Sequence, residues 1–138
     1  MILNKEKIKE ILPHREPFLF IDEVIHTEST HTVVAIKNLS RTESYFQGHF
    51  PGNPVMPGVL LIECMAQTAI ILYYLNKPEL ISKKPVFYLG KVKSEFLAPA
   101  IPDCTLTITA TAVKMIASAG IVNAVVKNVD TVIAKAEI

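Results

Sequence analysis

Val59-Leu-Leu-Ile-Glu-Cys-Met-Ala-Gln-Thr-Ala-Ile-Ile-Leu-Tyr-Tyr-Leu75 is apolar nearly all the way round. A helix without a polar face has to be buried on most sides. The stretch is barely long enough to cross a bilayer, and it carries Glu63, Gln67 and Thr68. Charged side chains are rare in membrane spans, so a buried core helix over residues 59–75 is the expected reading. The residues that follow supply a cover for it. Residues 86–98, 105–115, 119–128 and 131–137 read as strands with short breaks between them. In the second of these, Thr105, Thr107, Thr109 and Thr111 alternate with Leu106, Ile108, Ala110 and Ala112. That period of two gives one apolar face, and antiparallel strands of this kind need something packed against it.

Upstream, residues 4–12 read as a short amphipathic helix, with Ile8, Ile11 and Leu12 on one face and Pro13 ending it. Residues 18–25 and 32–39 are rich in β-branched and aromatic side chains and form a predicted hairpin across Thr27-Glu-Ser-Thr30. Residues 40–56 hold Gly48, Pro51, Gly52 and Pro54, which predicts an ordered loop rather than a regular element. The order is helix, two strands, loop, long helix, four strands. The predicted fold class is therefore α+β, an antiparallel sheet wrapped around a long central α-helix, in a single domain over 1–138.

Bulk composition narrows the function classes. A chain of 138 residues, half of them apolar, buries a real core. A net charge of +1 gives no support to a nucleic-acid or membrane-surface function. Cys64 and Cys104 lack metal-ligand spacing and read as reduced thiols packed as small hydrophobes, with no metal site expected. The N-terminal residues lack the basic-then-apolar order of a signal peptide, so a cytoplasmic protein is expected.

Glu63 is the anomaly in the long helix. An unpaired buried carboxylate costs several kcal/mol or takes a proton, so Glu63 requires a partner or a function. Gln67, at i+4 on the same face, can hold it through a side-chain hydrogen bond. Just upstream, Pro57 suits the first helical position, and Gly58 and Val59 then present free N–H groups at the positive end of the helix. Such a terminus can stabilise an oxygen that gains negative charge; the plain alternative is an ordinary Pro-Gly helix start. His49, in the loop between Phe46 and Phe50, is a candidate general base. His14, after Pro13, reads as structural, and His26 and His31 read as solvated residues flanking the hairpin turn.

Four motifs carry a family resemblance: Leu12-Pro-His-Arg-x-Pro-Phe18, Gly48-His-Phe-Pro-Gly-x-Pro54, Met56-Pro-Gly-Val-Leu60 and Glu63-x-Met-Ala-Gln67. With the ending Val129-Asp-x-Val-Ile-Ala-Lys-Ala-Glu-Ile138, they cover nearly the whole chain. The sequence closely resembles the hot-dog-fold (3R)-hydroxyacyl-acyl carrier protein dehydratases of FabZ type. The resemblance implies a hydro-lyase converting 3-hydroxyacyl thioesters to trans-2-enoyl thioesters without metal or organic cofactor. It implies acyl carrier protein with a phosphopantetheine-linked substrate as partner. It also implies a homodimer whose sites combine His49 of one chain with Glu63 of the other, with trimers of dimers common among such proteins. By the same resemblance His49 removes the α-proton with its ring oriented by the Val55 carbonyl. Glu63, positioned by Gln67, protonates the departing hydroxyl, and the Gly58 N–H polarises the thioester carbonyl. Val59 joins Gly58, Val55 and Gln67 among the expected substrate-binding residues. Glutamate at position 63 matches the simple dehydratase, whereas the isomerising branch carries aspartate there.

The sequence departs from that family at two turns. Phe96-Leu-Ala-Pro-Ala-Ile-Pro-Asp103 lacks the usual basic residues and a glycine, and Val129-Asp130-Thr131 stands where Val-Asp-Gly is usual. Both predict locally different backbones. Arg15, Arg41, Lys83, Lys84, Lys91 and Lys93 are the cations left to meet an acidic carrier, or else plain solvated surface. Two other functions stand beside the dehydratase: a hot-dog acyl thioesterase, and a non-catalytic acyl-thioester-binding subunit.

Overall fold

The computed structural model describes residues 2–28, 31–83 and 86–138. The predicted turn at Ser29 and Thr30, the Lys84 position and the His26 side chain lie outside what is described. The N-terminal helix α1 (Lys5–Ile11) is capped by Asn4, whose side chain accepts the Lys7 N–H at 2.9 Å. It buries Ile8 and closes on Leu12, beyond which Pro13 ends it. Strands β1 (Glu23–Glu28) and β2 (Thr32–Leu39) form the hairpin. The central helix α2 spans Gly58–Asn76, and β3 (Lys93–Phe96), β4 (Cys104–Met115), β5 (Gly120–Asn128) and β6 (Thr131–Glu137) follow.

The six strands make one sheet in the order β1-β2-β4-β5-β6-β3, with every neighbouring pair antiparallel. Leu106, Ile108 and Ala110 of β4 are fully buried, while Thr105 and Thr111 are exposed. The period-two pattern therefore faces its apolar side inward. The register sets Val33 of β2 opposite Ala110 and Ala35 opposite Ile108. Ala124 and Val126 of β5 continue the layer opposite Ala110 and Ile108. Against this face lies α2, packed on β2, β4 and β5 and burying Leu61, Cys64, Met65, Ile71 and Leu72. The helix is long and apolar enough to cross a membrane, yet most of it is enclosed by the sheet.

Two predicted strands are shorter than expected. Residues 86–98 were expected to pair along their length, but only Lys93–Phe96 does, against Ala134–Glu137 of β6. Residues 86–92 belong to no strand, and Val86, Tyr88 and Leu89 are exposed. Phe87 packs edge-on against Tyr73 and Tyr74 of α2. Residues 18–25 likewise enter the sheet only at Glu23. Leu19, Phe20 and Ile21 are buried in the core, but the backbone of Phe18 and Phe20 bonds to the Gln67 side chain instead of to a strand.

The β5–β6 turn holds Val129 at φ 55°. A β-branched residue in the left-handed region is strained by roughly 1–2 kcal/mol, and Val129 is too exposed to recover that through packing. The turn that lacks its glycine is thus a strained one. Val129→Asn is expected to raise stability by about 1 kcal/mol, seen as a Tm increase of about 3–4 °C in thermal unfolding. An unchanged or lower Tm would contradict the strained turn.

Candidate active site

His49 sits in the loop between β2 and α2. A short 3-10 turn, Ser44–Gln47, leads into it, and the His49 N–H donates to the Tyr45 carbonyl at 3.1 Å. The entry to this loop is tied to the sheet by an unexpected pair. Strand alternation puts Lys37 on the core face between Ala35 and Leu39, where it is 5 % exposed. Its ammonium bonds Glu43 at 2.5 Å and lies 5.6 Å from the centre of the Phe20 ring. The other Glu43 oxygen accepts the Ser40 N–H. A buried cation is tolerated only when paired in this way.

Gly52, at φ 72°, turns the chain back so that Phe50 and Asn53 exchange backbone hydrogen bonds. The returning chain places the Val55 carbonyl 2.8 Å from His49 Nδ1, and the Val55 N–H donates to the His49 carbonyl. A carbonyl oxygen only accepts, so the neutral ring carries its hydrogen on Nδ1 and leaves the Nε2 lone pair free. The ring stacks on Phe50 with centroids 3.9 Å apart.

Pro57 occupies the cap rather than the first helical position, one residue earlier than expected. Its carbonyl accepts the N–H groups of Leu60 and Leu61, and those of Gly58 and Val59 have no intrahelical acceptor. A Cβ on Gly58 would lie 3.0 Å from Cε1 of Phe96, so the ring of the last β3 residue rests on the helix start. Val59 projects outward and is 72 % exposed.

Glu63 is one and a half turns further along α2, partly buried. Its Oε2 accepts a hydrogen bond from Gln67 Nε2 at 2.9 Å. Gln67 is completely buried, and the same nitrogen donates to the Phe18 carbonyl at 2.8 Å while Oε1 accepts the Phe20 N–H at 2.9 Å. The His14 ring, read from sequence as merely structural, lies with Nε2 3.5 Å from Glu63 Oε2. The sequence signal was available in the Pro-His-Arg motif, but nothing in its spacing relates residue 14 to residue 63.

No hydrogen bond or ion pair joins His49 to Glu63 within the protomer, among the described residues. Burial pushes the Cys64 thiol well above its usual range, which leaves it an inert packing group beside Glu63. Among the described residues no cluster of three or more side chains suits a metal ion. Of the cations expected to meet a carrier, Arg15 is spent on the carbonyls of Lys9, Leu12 and His14. Arg41 pairs with Asp103, which the Arg41 backbone and side chain hold below the usual carboxylate range. Lys83, Lys91 and Lys93 are exposed.

These elements can be set beside known proteins. The FabA-like domain family matches residues 12–137. The 3-hydroxyacyl-[acyl-carrier-protein] dehydratase FabZ of Streptococcus pneumoniae is 46 % identical over 123 residues, covering 89 % of this chain and 86 % of that protein. The bifunctional enzyme LpxC/FabZ of Chlorobaculum tepidum is 47 % identical over 115 residues, 83 % of this chain but only 24 % of that longer protein. Among solved structures, the dehydratase heterocomplex ApeI:P from Xenorhabdus doucetiae superposes with a TM-score of 0.75 at 18 % identity, covering 94 % of this chain and 86 % of that one. The sheet wrapped on a central helix is the hot-dog fold, and the chain belongs to the FabA-like family, alongside the FabZ-type dehydratases.

Proposed function

We propose that this protein dehydrates (3R)-hydroxyacyl thioesters on acyl carrier protein to trans-2-enoyl thioesters, in fatty-acid or related acyl-chain biosynthesis in the cytoplasm. The observation that carries the reading is the fixed tautomer of His49, whose Nδ1 is held by the Val55 carbonyl at 2.8 Å. Its Nε2 takes the proton from the carbon α to the thioester. The C–H electron pair moves into the new carbon–carbon double bond, and negative charge gathers on the thioester oxygen. The N–H groups at Gly58 and Val59 face that charge at the positive end of α2. Glu63 delivers its proton to the β-hydroxyl, which departs as water. Proton return from His49 to Glu63 through solvent resets the site, and nothing else is consumed.

Among the described residues no hydrogen bond or ion pair joins His49 to Glu63 of the same chain, and in this reading a second copy completes the pair. Phe50, Val59, Phe96 and Leu97 are about half exposed or more beside these residues, and β3 has a free edge next to them. Both features favour a homodimer joined around the start of α2. Assembly into a trimer of dimers belongs to the same proposal. Lys83 and Lys91, on the segment between α2 and β3, and Lys93, the first residue of β3, are the cations suited to an acidic carrier protein.

The test follows the ultraviolet absorbance of a crotonyl thioester, offered on carrier protein and on coenzyme A. Loss of enoyl absorbance by reversible hydration, with no free thiol, supports the dehydratase. Thiol release would instead support the thioesterase, and tight binding without turnover the non-catalytic subunit.

A further inference from the structure

The Pro-His-Arg motif has no part in the chemistry above, yet its histidine touches the proposed acid. His14 Nε2 lies 3.5 Å from Glu63 Oε2, the same oxygen that accepts Gln67 Nε2 at 2.9 Å. The other ring nitrogen, Nδ1, is buried with no hydrogen-bond partner among the described residues. A proton on Nδ1 would be a buried donor without an acceptor, and in the imidazolium it would also carry charge. Of the two neutral tautomers the geometry therefore favours the one with its hydrogen on Nε2, directed at Glu63.

The backbone around His14 is held from both sides. Arg15 donates to the carbonyls of Lys9, Leu12 and His14, tying the segment to the end of α1. Gln67 ties the same segment to α2 through Phe18 and Phe20. The imidazole therefore approaches Glu63 from a braced position and not from a free loop.

We propose that His14 is a positioning residue for Glu63: with Gln67 it occupies Oε2 with two N–H donors and so assigns the transferable proton to Oε1. The catalytic use of that proton rests on the dehydratase reading; the 3.5 Å contact between His14 and Glu63 does not. An acid proton on Oε2 would confront two donors, whereas Oε1, with no hydrogen-bond partner among the described residues, is left for the β-hydroxyl. His14 thus decides which oxygen is the acid without touching substrate. Cys64 lies beside this carboxylate on α2, and Lys37, Glu43 and Asp22 act electrostatically on that thiol together with Glu63. In the proposed dimer His49 of the second copy joins them.

The experiment is a 13C-carboxyl titration of glutamate-labelled protein, with the Glu63 resonance identified by its loss in Glu63→Gln. Removing a donor destabilises the carboxylate relative to the acid. In His14→Ala, and in the bulkier donorless His14→Leu, the Glu63 curve is expected to lie at higher pH than in wild type. In His14→Gln, which restores an N–H donor, it returns toward wild type. Turnover of 3-hydroxybutyryl thioester should fall about tenfold in kcat with little change in KM in the donorless variants, the scale of one lost hydrogen bond to a charged group. It should recover in His14→Gln. A Glu63 curve that stays in place in either folded donorless variant overturns the proposal, as does a His14→Gln curve that matches His14→Ala. A wild-type protein that turns over no thioester would overturn the dehydratase reading, while the titration still decides the role of His14.

Discussion

His49→Ala and Glu63→Gln are each expected to lower kcat for hydration of a crotonyl thioester by about 10³-fold, within the range for loss of a positioned acid or base. The two substitutions remove different halves of the same proton inventory. His49→Ala deletes the Nε2 lone pair that takes the α-proton, the one left free when Val55 engages Nδ1. Glu63→Gln keeps the shape and the contact with Gln67 but cannot release a proton to a departing hydroxyl. Because both groups act in the transition state and not in binding, KM should change little. Their effects should also be far from additive, since either loss stops the same concerted elimination. Rates within threefold of wild type in both variants would remove the acid–base assignment altogether.

Gln67→Leu is expected to cost about 3 kcal/mol of stability, read as a Tm lower by about 10 °C. The substitution is close to isosteric, so no cavity is involved, and the cost comes from hydrogen bonds alone. Gln67 is fully buried and serves three partners: the Phe18 carbonyl, the Phe20 N–H and Glu63 Oε2. Leucine leaves the first two without their partner, the Phe20 N–H inside the core and the Phe18 carbonyl partly buried. Each such group loses its full desolvation energy, about 1–3 kcal/mol. The variant also frees the Glu63 side chain, so kcat should drop in the surviving folded protein. A Tm shift below about 2 °C would mean the Phe18–Asp22 segment finds other partners.

Much of the fold was legible because it rests on periodicity. The Thr/Leu/Ile/Ala alternation of β4 and the all-apolar run of α2 can be satisfied in one way only, with the sheet face against the helix. Residues 32–39 were bounded correctly for the same reason. The errors arose where structure depends on a neighbour. Val86 to Val92 have strand-like side chains but no strand beside them, and Leu19 to Ile21 owe their burial to core packing while Gln67 satisfies the backbone around them. Lys37 breaks an otherwise regular strand pattern, and only its pairing with Glu43 across the loop entry explains its place.

The site divides along the same line. His49, Gly58, Glu63 and Gln67 lie within one short stretch of chain, where loop composition and helix spacing mark them as candidates, while Val55 is named only through the family resemblance. His14 is far from that stretch in sequence and meets Glu63 only because Arg15 and Gln67 brace its segment. No local pattern encodes such a contact.

The central claim is that one acid–base pair is assembled from two copies, and mixing two inactive variants tests it most directly. His49→Ala and Glu63→Gln chains, unfolded and refolded together, form some dimers with one intact site. With random pairing in a two-fold dimer, about a quarter of wild-type hydration activity should return. If mixed dimers are present and activity stays at the level of the separate variants, the shared site is wrong.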